Sequence, residues 1–143
     1  MKKTTVAFLL ASALPAMAQM SPVGLWRSID DNSGEARAEI SLKDNGKGGV
    51  NGVVERSLIN TGTPPNCDLC TDDRKGKPKV GMEIIRDAAK VSGQDAWEGG
   101  TIVDPENGKT YKLRLAPIEG GKKLQVRGYI GPFFRTQIWQ RVQ

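Results

Sequence analysis

The chain has 143 residues, with 21 lysines and arginines against 16 acidic residues and no histidine. Without histidine it cannot build a Ser-His-Asp or Cys-His centre, and it lacks the commonest general base near neutral pH. Its net charge of +5 is scattered among acids, which favours solubility over nucleic-acid binding. We therefore predict neither an enzyme nor a nucleic-acid partner.

The first 18 residues predict a bacterial export signal. Two lysines precede a short apolar run, and the run ends in the small-residue pattern AMA, which is typical of a signal-peptidase site, so we predict cleavage after Ala18. The run is shorter than the roughly 20 residues that span a bilayer, and no transmembrane segment is predicted after processing. Cleavage would remove those two lysines, so the net charge falls from +5 for the whole chain to +3 for residues 19–143. They predict one domain that is periplasmic or secreted.

Short, evenly spaced segments carry strand signals, with turn residues between them. Residues 36–42 alternate apolar with polar side chains, the period of a half-buried strand, and Asn45-Gly46 then predicts a hairpin turn. Residues 82–91 would also suit a short helix, and periodicity does not decide between the two. The predicted strands span 23–29, 36–42, 50–56, 79–86, 96–104, 109–117, 124–130 and 135–142.

About eight strands joined by short turns predict an all-β fold. The turns are too short for parallel crossovers, so the strands form an antiparallel up-and-down meander. Such a meander closes most simply into a β-barrel, which also removes the edge strands that favour aggregation. A two-sheet β-sandwich uses the same elements and is the alternative. The long connection at about 57–78, which holds both cysteines, departs from the regular pattern.

Two features resemble known families. Gly24-Leu25-Trp26 is similar to the G-x-W that opens the first strand of lipocalins and related calycin barrels. With Arg141 on the last strand, this resemblance implies an arginine stacked on Trp26 that closes the barrel. The segments SPVGLWRSIDDNSGE, NCDLCTDDRKGKPKVGM, WEGGTIVDPENGKTYK and KKLQVRGYIGPFFRTQIWQRV, in that order, resemble an exported bacterial family catalogued as a domain of unknown function. That resemblance covers nearly all of the mature chain and implies one calycin-like barrel with no established activity.

A barrel of this size is either filled by side chains or open for one small ligand. Arg127 and Tyr129 are similar to the Arg-x-Tyr pair that grips a carboxylate in fatty-acid-binding calycins. Trp97, Tyr111 and Phe133 are candidates for lining such a cavity. We therefore predict a small lipophilic or amphipathic ligand, such as an acyl chain. In the alternative, Arg127 and Tyr129 face solvent, because the residues that alternate with them suit the core better.

A basic segment offers a second interpretation of function. It holds four cations within six residues: Arg74, Lys75, Lys77 and Lys79. They would suit anionic groups of lipopolysaccharide or another envelope component, so a structural or partner-binding role is the alternative function. Asp72 and Asp73 lie beside them, and a solvated loop is the simpler interpretation. No oligomeric state is predicted.

Cys67 and Cys70 are the two cysteines of the chain. A structural zinc site needs four donors, which one CxxC without histidine does not supply, and a thioredoxin-type centre needs the pair at a helix N-terminus. No metal or cofactor is predicted, and redox activity is the less favoured interpretation. An oxidising compartment predicts a disulfide. Its four-residue ring would stabilise only the loop tip, by about 2 kcal/mol from loop-closure entropy.

Overall fold

The computed structural model describes residues 20–59 and 62–143. The predicted signal peptide and its cleavage site lie outside these residues. No helix in the described part of the chain is long and apolar enough to cross a membrane. The strands are β1 (Gly24–Ile29), β2 (Ala36–Asp44), β3 (Gly49–Ser57), β4 (Glu83–Lys90), β5 (Trp97–Val103), β6 (Thr110–Ile118), β7 (Lys123–Ile130) and β8 (Phe133–Arg141).

Each strand pairs antiparallel with its neighbours in sequence, and β1 also pairs with β8, so the sheet closes into a barrel. This confirms the predicted up-and-down barrel over the sandwich. The strands β7 and β8 pair along nearly their whole lengths. The closing seam is much shorter, with Trp26 opposite Arg141 and Arg27 opposite Gln140. Side chains therefore have to reinforce this seam, and the Arg141 guanidinium lies over the Trp26 ring there.

One end of the barrel is filled by its own side chains. Gly52 permits this packing, because a Cβ atom there would lie 2.6 Å from Cδ2 of Leu42 and 3.1 Å from Cβ of Ile85. The buried alternation predicted for β2 is present, with Ile40 and Leu42 facing inward. The fully buried large side chains at this end are Trp26, Leu42, Ile85, Leu115 and Leu124. Their burial supplies the apolar core that a single small domain requires.

The fourth strand differs from the prediction. It begins at Glu83 rather than residue 79 and ends at Lys90, so residues 82–91 are mainly strand and not helix. The long connection accordingly runs to residue 82 instead of 78. The β3–β4 register shifts at two points, and the adjacent Ile84 and Ile85 are both buried. A period-two pattern cannot survive such a bulge, which explains why periodicity misplaced the ends of this strand and did not decide against a helix.

Candidate ligand-binding site

The barrel interior holds a cavity of about 500 Å³, which opens at the end opposite the filled core. This volume lies within the range of small-molecule sites, about 300 to 1,000 Å³. The interior is therefore open at this end and filled by side chains only at the other. The inner wall is apolar and includes Ile40, Val54, Ile84, Ile102, Val126 and Trp139.

Charged side chains at the mouth of the cavity are mostly paired with one another. Arg135 of β8 donates from Nε to Asp31 at 2.7 Å, and its Nη2 lies 3.6 Å from Asp30. This guanidinium lowers the pKa of the Asp31 carboxyl. Lys79 donates from Nζ to Glu106 at 3.0 Å. These pairs largely neutralise the charge of that part of the rim.

Two charged side chains of the lining have no ion-pair partner among the described residues, Asp104, which accepts Glu106 N–H at 2.9 Å, and Arg37. Ser28 pairs with Ala38 and Ile29 with Ala36, so Arg37 occupies a β-bulge and its side chain joins the cavity lining. Within residues 20–59 and 62–143, no carboxylate lies within 4.0 Å of its guanidinium. An arginine without a carboxylate partner beside an apolar cavity suits an anionic ligand group. The alternation of residues 36–42 places Arg37 on the outer face, so the sequence pattern does not indicate its position at the cavity.

The connection between β3 and β4 contributes a cysteine loop, residues 62–82, whose prolines line the mouth. This loop is a small hairpin of its own, because Cys67 N–H donates to Lys77 O at 2.8 Å and Lys79 N–H donates to Pro65 O at 2.9 Å. An isolated bridge between Asn66 and Pro78 joins its two arms. The hairpin therefore holds a defined shape across part of the opening.

The predicted disulfide between Cys67 and Cys70 is present, with the sulfur atoms 2.02 Å apart. Its expected role as a stiffener of the loop tip alone is wrong, because both cysteines are buried in the hydrophobic core cluster. Cys67 Sγ lies 3.4 Å from the carbonyl oxygen of Pro105 in the β5–β6 turn. In the same turn, a Cβ atom on Gly108 would lie 2.0 Å from Leu69 O. The disulfide thus seats the cysteine loop on the barrel.

The basic segment does not form one exposed surface. Arg74 is 3% exposed, and its Nε lies 3.6 Å from Asp72. Lys79 is paired with Glu106 at the cavity mouth, as described above. Lys75 and Lys77 remain exposed. The prediction that four cations act together on an anionic surface therefore does not fit this arrangement, because burial and ion pairing remove two of them.

The predicted ligand residues do not come together. Tyr111 lines the cavity, whereas Arg127 and Tyr129 do not. Arg127 lies opposite Thr136 and donates to its hydroxyl from Nε at 2.8 Å. Tyr129 lies opposite the exposed Phe134 on the same outer face. The prediction that Arg127 and Tyr129 line the cavity is wrong, and the alternative that they face outward fits the structure, because Val126 and Gly128 occupy the inward positions of that strand.

The two remaining aromatic candidates also lie away from the cavity lining. Trp97 is buried in the core cluster, with Lys90 Nζ 5.2 Å from its ring centre. Phe133 is 77% exposed at the β7–β8 turn. Of the predicted pocket residues, Tyr111 alone lines the cavity in the described part of the chain, and its contact with a ligand stays a prediction.

A closed, eight-stranded antiparallel meander with one open end defines a lipocalin-like barrel. A solved structure with this architecture is that of protein HP1028 from the human pathogen Helicobacter pylori, described as belonging to the lipocalin family. It superimposes with a TM-score of 0.71 over 87% of this chain and 84% of that chain, at 16% sequence identity. At this identity the likeness shows the fold alone.

The chain belongs to the family described as "Uncharacterized protein conserved in bacteria (DUF2147)", which matches residues 24–141. That range begins with β1 and ends with β8, so the family corresponds to the whole barrel. Comparison with the curated proteins gives no match. The family description shows only that the relatives are bacterial, and the chemistry of the cavity has to be argued from its residues.

Proposed function

We propose that the protein is an exported, non-enzymatic binding protein that takes one small amphipathic ligand into the barrel cavity. The observation that carries this proposal is the open cavity of about 500 Å³ with an apolar inner wall. A chain that needed only a stable barrel would fill this space, because an empty apolar cavity forfeits packing energy. The open interior supports a role in binding.

The lining indicates how the ligand would lie. Each methylene buried against Ile40, Val54 and Val126 would contribute ~0.8 kcal/mol, so an apolar portion would supply most of the affinity. An anionic group would bind Arg37 at the mouth by charge-assisted hydrogen bonds. The ligand class is therefore an acyl chain or a similar apolar body with a carboxylate, sulfonate or phosphate.

The acidic residues at the mouth support binding rather than catalysis. Backbone N–H groups of Ser33 and Asn32 lower the pKa of the Asp30 carboxyl, and Arg135 lowers that of Asp31. A general acid near neutral pH needs the opposite shift. Within the described residues no group of three His, Cys, Asp or Glu side chains is arranged to hold a metal ion.

The buried disulfide supports export to an oxidising compartment. Disulfides persist in the periplasm and outside the cell and are rare in the cytosol. The bond between Cys67 and Cys70 belongs to the core, and so contributes to the folded barrel itself. With the signal peptide predicted before residue 19, we place the protein in the periplasm or beyond it.

The test is saturable binding of 8-anilinonaphthalene-1-sulfonate, an amphipathic anion, and its displacement by decanoate. Val126→Phe fills the inner wall and is expected to weaken binding at least tenfold, whereas Ile138→Phe on the outer face of β8 leaves it unchanged. Arg37→Gln is expected to weaken the binding of decanoate but not that of decanol, which has the same chain length and no charge. Arg27→Gln on the outer face serves as the control for this variant. Equal binding by the Val126 and Ile138 variants overturns the proposal.

A further inference from the structure

The turn between β7 and β8 carries three exposed apolar side chains. Ile130 is 46% exposed, Phe133 77% and Phe134 62%. Ile130 pairs with Phe133 across the two-residue turn Gly131-Pro132. Two adjacent, mostly exposed phenylalanines are unusual on a domain whose other aromatic side chains are largely covered, and such exposure generally marks an interaction site.

This hairpin tip extends past the rim of the cavity. Gly128 and its cross-strand partner Arg135 line the cavity, two residues before the tip on each strand. Strand alternation continues that inward face to Ile130 and Phe133, whereas Phe134 lies on the outer face. Both faces of the tip are therefore apolar. The Phe134 ring has Tyr129 beside it on the outer face, with the ring centres 6.0 Å apart, whereas Phe133 is left 77% exposed.

Cations without carboxylate partners accompany the tip. Arg127 places its guanidinium carbon 4.8 Å from the Phe134 ring centre, and Lys112 lies opposite Tyr129 on the neighbouring strand. Lys109 is exposed in the β5–β6 turn at the same end of the barrel. Across the part of the chain that the structure describes, no carboxylate lies within 4.0 Å of these three cations. The neighbouring acids Asp30 and Asp31 are engaged by Arg135.

We propose that the β7–β8 tip docks the barrel on an anionic lipid bilayer. Phe133, Phe134 and Ile130 enter the boundary between headgroups and acyl chains, while Arg127, Lys109 and Lys112 bind lipid phosphates. Aromatic rings and basic side chains together are the combination that such an interface attracts. The cavity mouth then faces the membrane surface.

The shape of the tip favours a bilayer over a protein partner. A stable protein interface uses about 20 to 30 residues a side on a broad surface. Here three apolar side chains project from the end of one hairpin, beyond the rim. A fluid interface can close around such a projection, whereas a folded partner would need a matching pocket. A second copy of this chain remains an outcome of the test.

The experiment measures co-sedimentation with phosphatidylcholine vesicles that contain 0 or 30% phosphatidylglycerol. For this experiment the full chain is expressed with its predicted signal peptide in a bacterial host. The intact mass of the purified protein then reports whether the first 18 residues have been removed. We expect binding that rises with phosphatidylglycerol and falls at high salt. The double variant Phe133→Ser/Phe134→Ser should lose at least tenfold in affinity, and Lys109→Gln/Lys112→Gln should lose the dependence on phosphatidylglycerol.

Matched controls lie at the filled end of the barrel. Val142→Ser removes an exposed apolar side chain there, and Lys43→Gln/Lys47→Gln removes two exposed cations near the β2–β3 turn. Both should bind vesicles like the wild type. No vesicle binding by the wild type, or equal binding by the Phe133 and Val142 variants, overturns the proposal. The proposal is also overturned if the Phe133→Ser/Phe134→Ser variant changes the oligomeric mass of the protein but not its binding to vesicles. Vesicle binding is measured without a ligand in the cavity, so its result is independent of whether the cavity binds a ligand.

Discussion

The guanidinium carbon of Arg141 lies 4.2 Å from the centre of the buried Trp26 ring. The same guanidinium donates from Nε to Gly121 O at 2.5 Å, from Nη1 to Val23 O at 3.0 Å and from Nη2 to Ser21 O at 2.8 Å. One side chain therefore joins the chain before β1, the β6–β7 connection and the last strand. It does so at the seam where the backbone ladder is shortest.

Replacing Arg141 by lysine is expected to lower the free energy of unfolding by about 2 kcal/mol. An ammonium cannot stack on Trp26 as a plane or reach three carbonyl groups at once, and charged hydrogen bonds contribute about 1.5 kcal/mol or more each. Urea unfolding followed by tryptophan fluorescence measures the change. Arg27→Lys, on the outer face of β1, should change stability by less than ~0.5 kcal/mol. Similar losses in both variants would contradict this role.

The barrel was predictable because its signals are local. Alternation within a strand and a hairpin turn such as Asn45-Gly46 depend on residues near in sequence, and these signals located strands even where the register shifts, as it does between β1 and β2 and between β5 and β6. The fourth strand could not be bounded in the same way. Ile84 and Ile85 are both buried, and Asp87 has a φ of 57°, so the strand itself breaks the pattern that would have located it.

The site was less predictable because pairing between distant segments sets it. Arg37 reaches the cavity mouth through a bulge in the β1–β2 register, which the pattern of residues 36–42 does not contain. The two cysteines are buried against the barrel, and Gly108, some forty residues later, leaves room beside them for the Leu69 carbonyl oxygen. Strand alternation correctly placed Tyr111 on the inner face of β6. On β7 the same alternation turns Val126 and Gly128 inward, and therefore turns the Arg127 side chain outward.

Gly108→Ala is expected to destabilise the barrel by ~2 to 4 kcal/mol. Its φ of 72° disfavours alanine by about 1 kcal/mol, and its new Cβ atom would lie 2.0 Å from the backbone oxygen of Leu69, which adds the cost of overpacking. Gly34→Ala is a matched control, because Gly34 has a φ of 73° and nothing within 4 Å of its Cβ position. The difference between the two in thermal unfolding isolates the contact of the cysteine loop. Equal effects would show that this contact contributes no stability.

Removing the disulfide by Cys67→Ala/Cys70→Ala is expected to cost about 2 to 4 kcal/mol. The four-residue ring accounts for about 2 kcal/mol of loop-closure entropy, and the buried sulfur atoms add packing. Wild-type protein treated with dithiothreitol keeps both sulfur atoms and loses the ring alone, so comparing it with the variant separates the two contributions. Thiol titration of the air-purified protein, unfolded in guanidinium chloride so that buried thiols would react, should find none. Two reactive thiols would contradict the assigned bond.

A bidentate ion pair should make the attachment of the cysteine loop to β4 dependent on pH. Arg86 donates from Nη1 and Nη2 to the two carboxylate oxygens of Asp73, each at 2.9 Å, and from Nε to Glu83 at 2.8 Å. The hydrogen bonds from Arg86 lower the pKa of Asp73 from 3.8 to about 2. The Asp73 carboxyl therefore binds a proton less tightly in the folded state than in the unfolded state. The stabilisation is complete above pH 3.8 and is lost as pH falls through about 2.

Carboxyl ¹³C NMR of Asp73 measures this directly, with a midpoint expected near pH 2 in the wild type. In Arg86→Gln the midpoint should return toward 3.8, because the guanidinium that binds the carboxylate is gone. Asp73→Asn should make stability less sensitive to acid below pH 3.8, since the titrating group is absent while Arg86 keeps its bond to Glu83. A wild-type midpoint already near 3.8, unchanged in Arg86→Gln, would mean that Asp73 is not paired with Arg86 in solution. The loop would then be held on the barrel by the disulfide and Gly108 contacts.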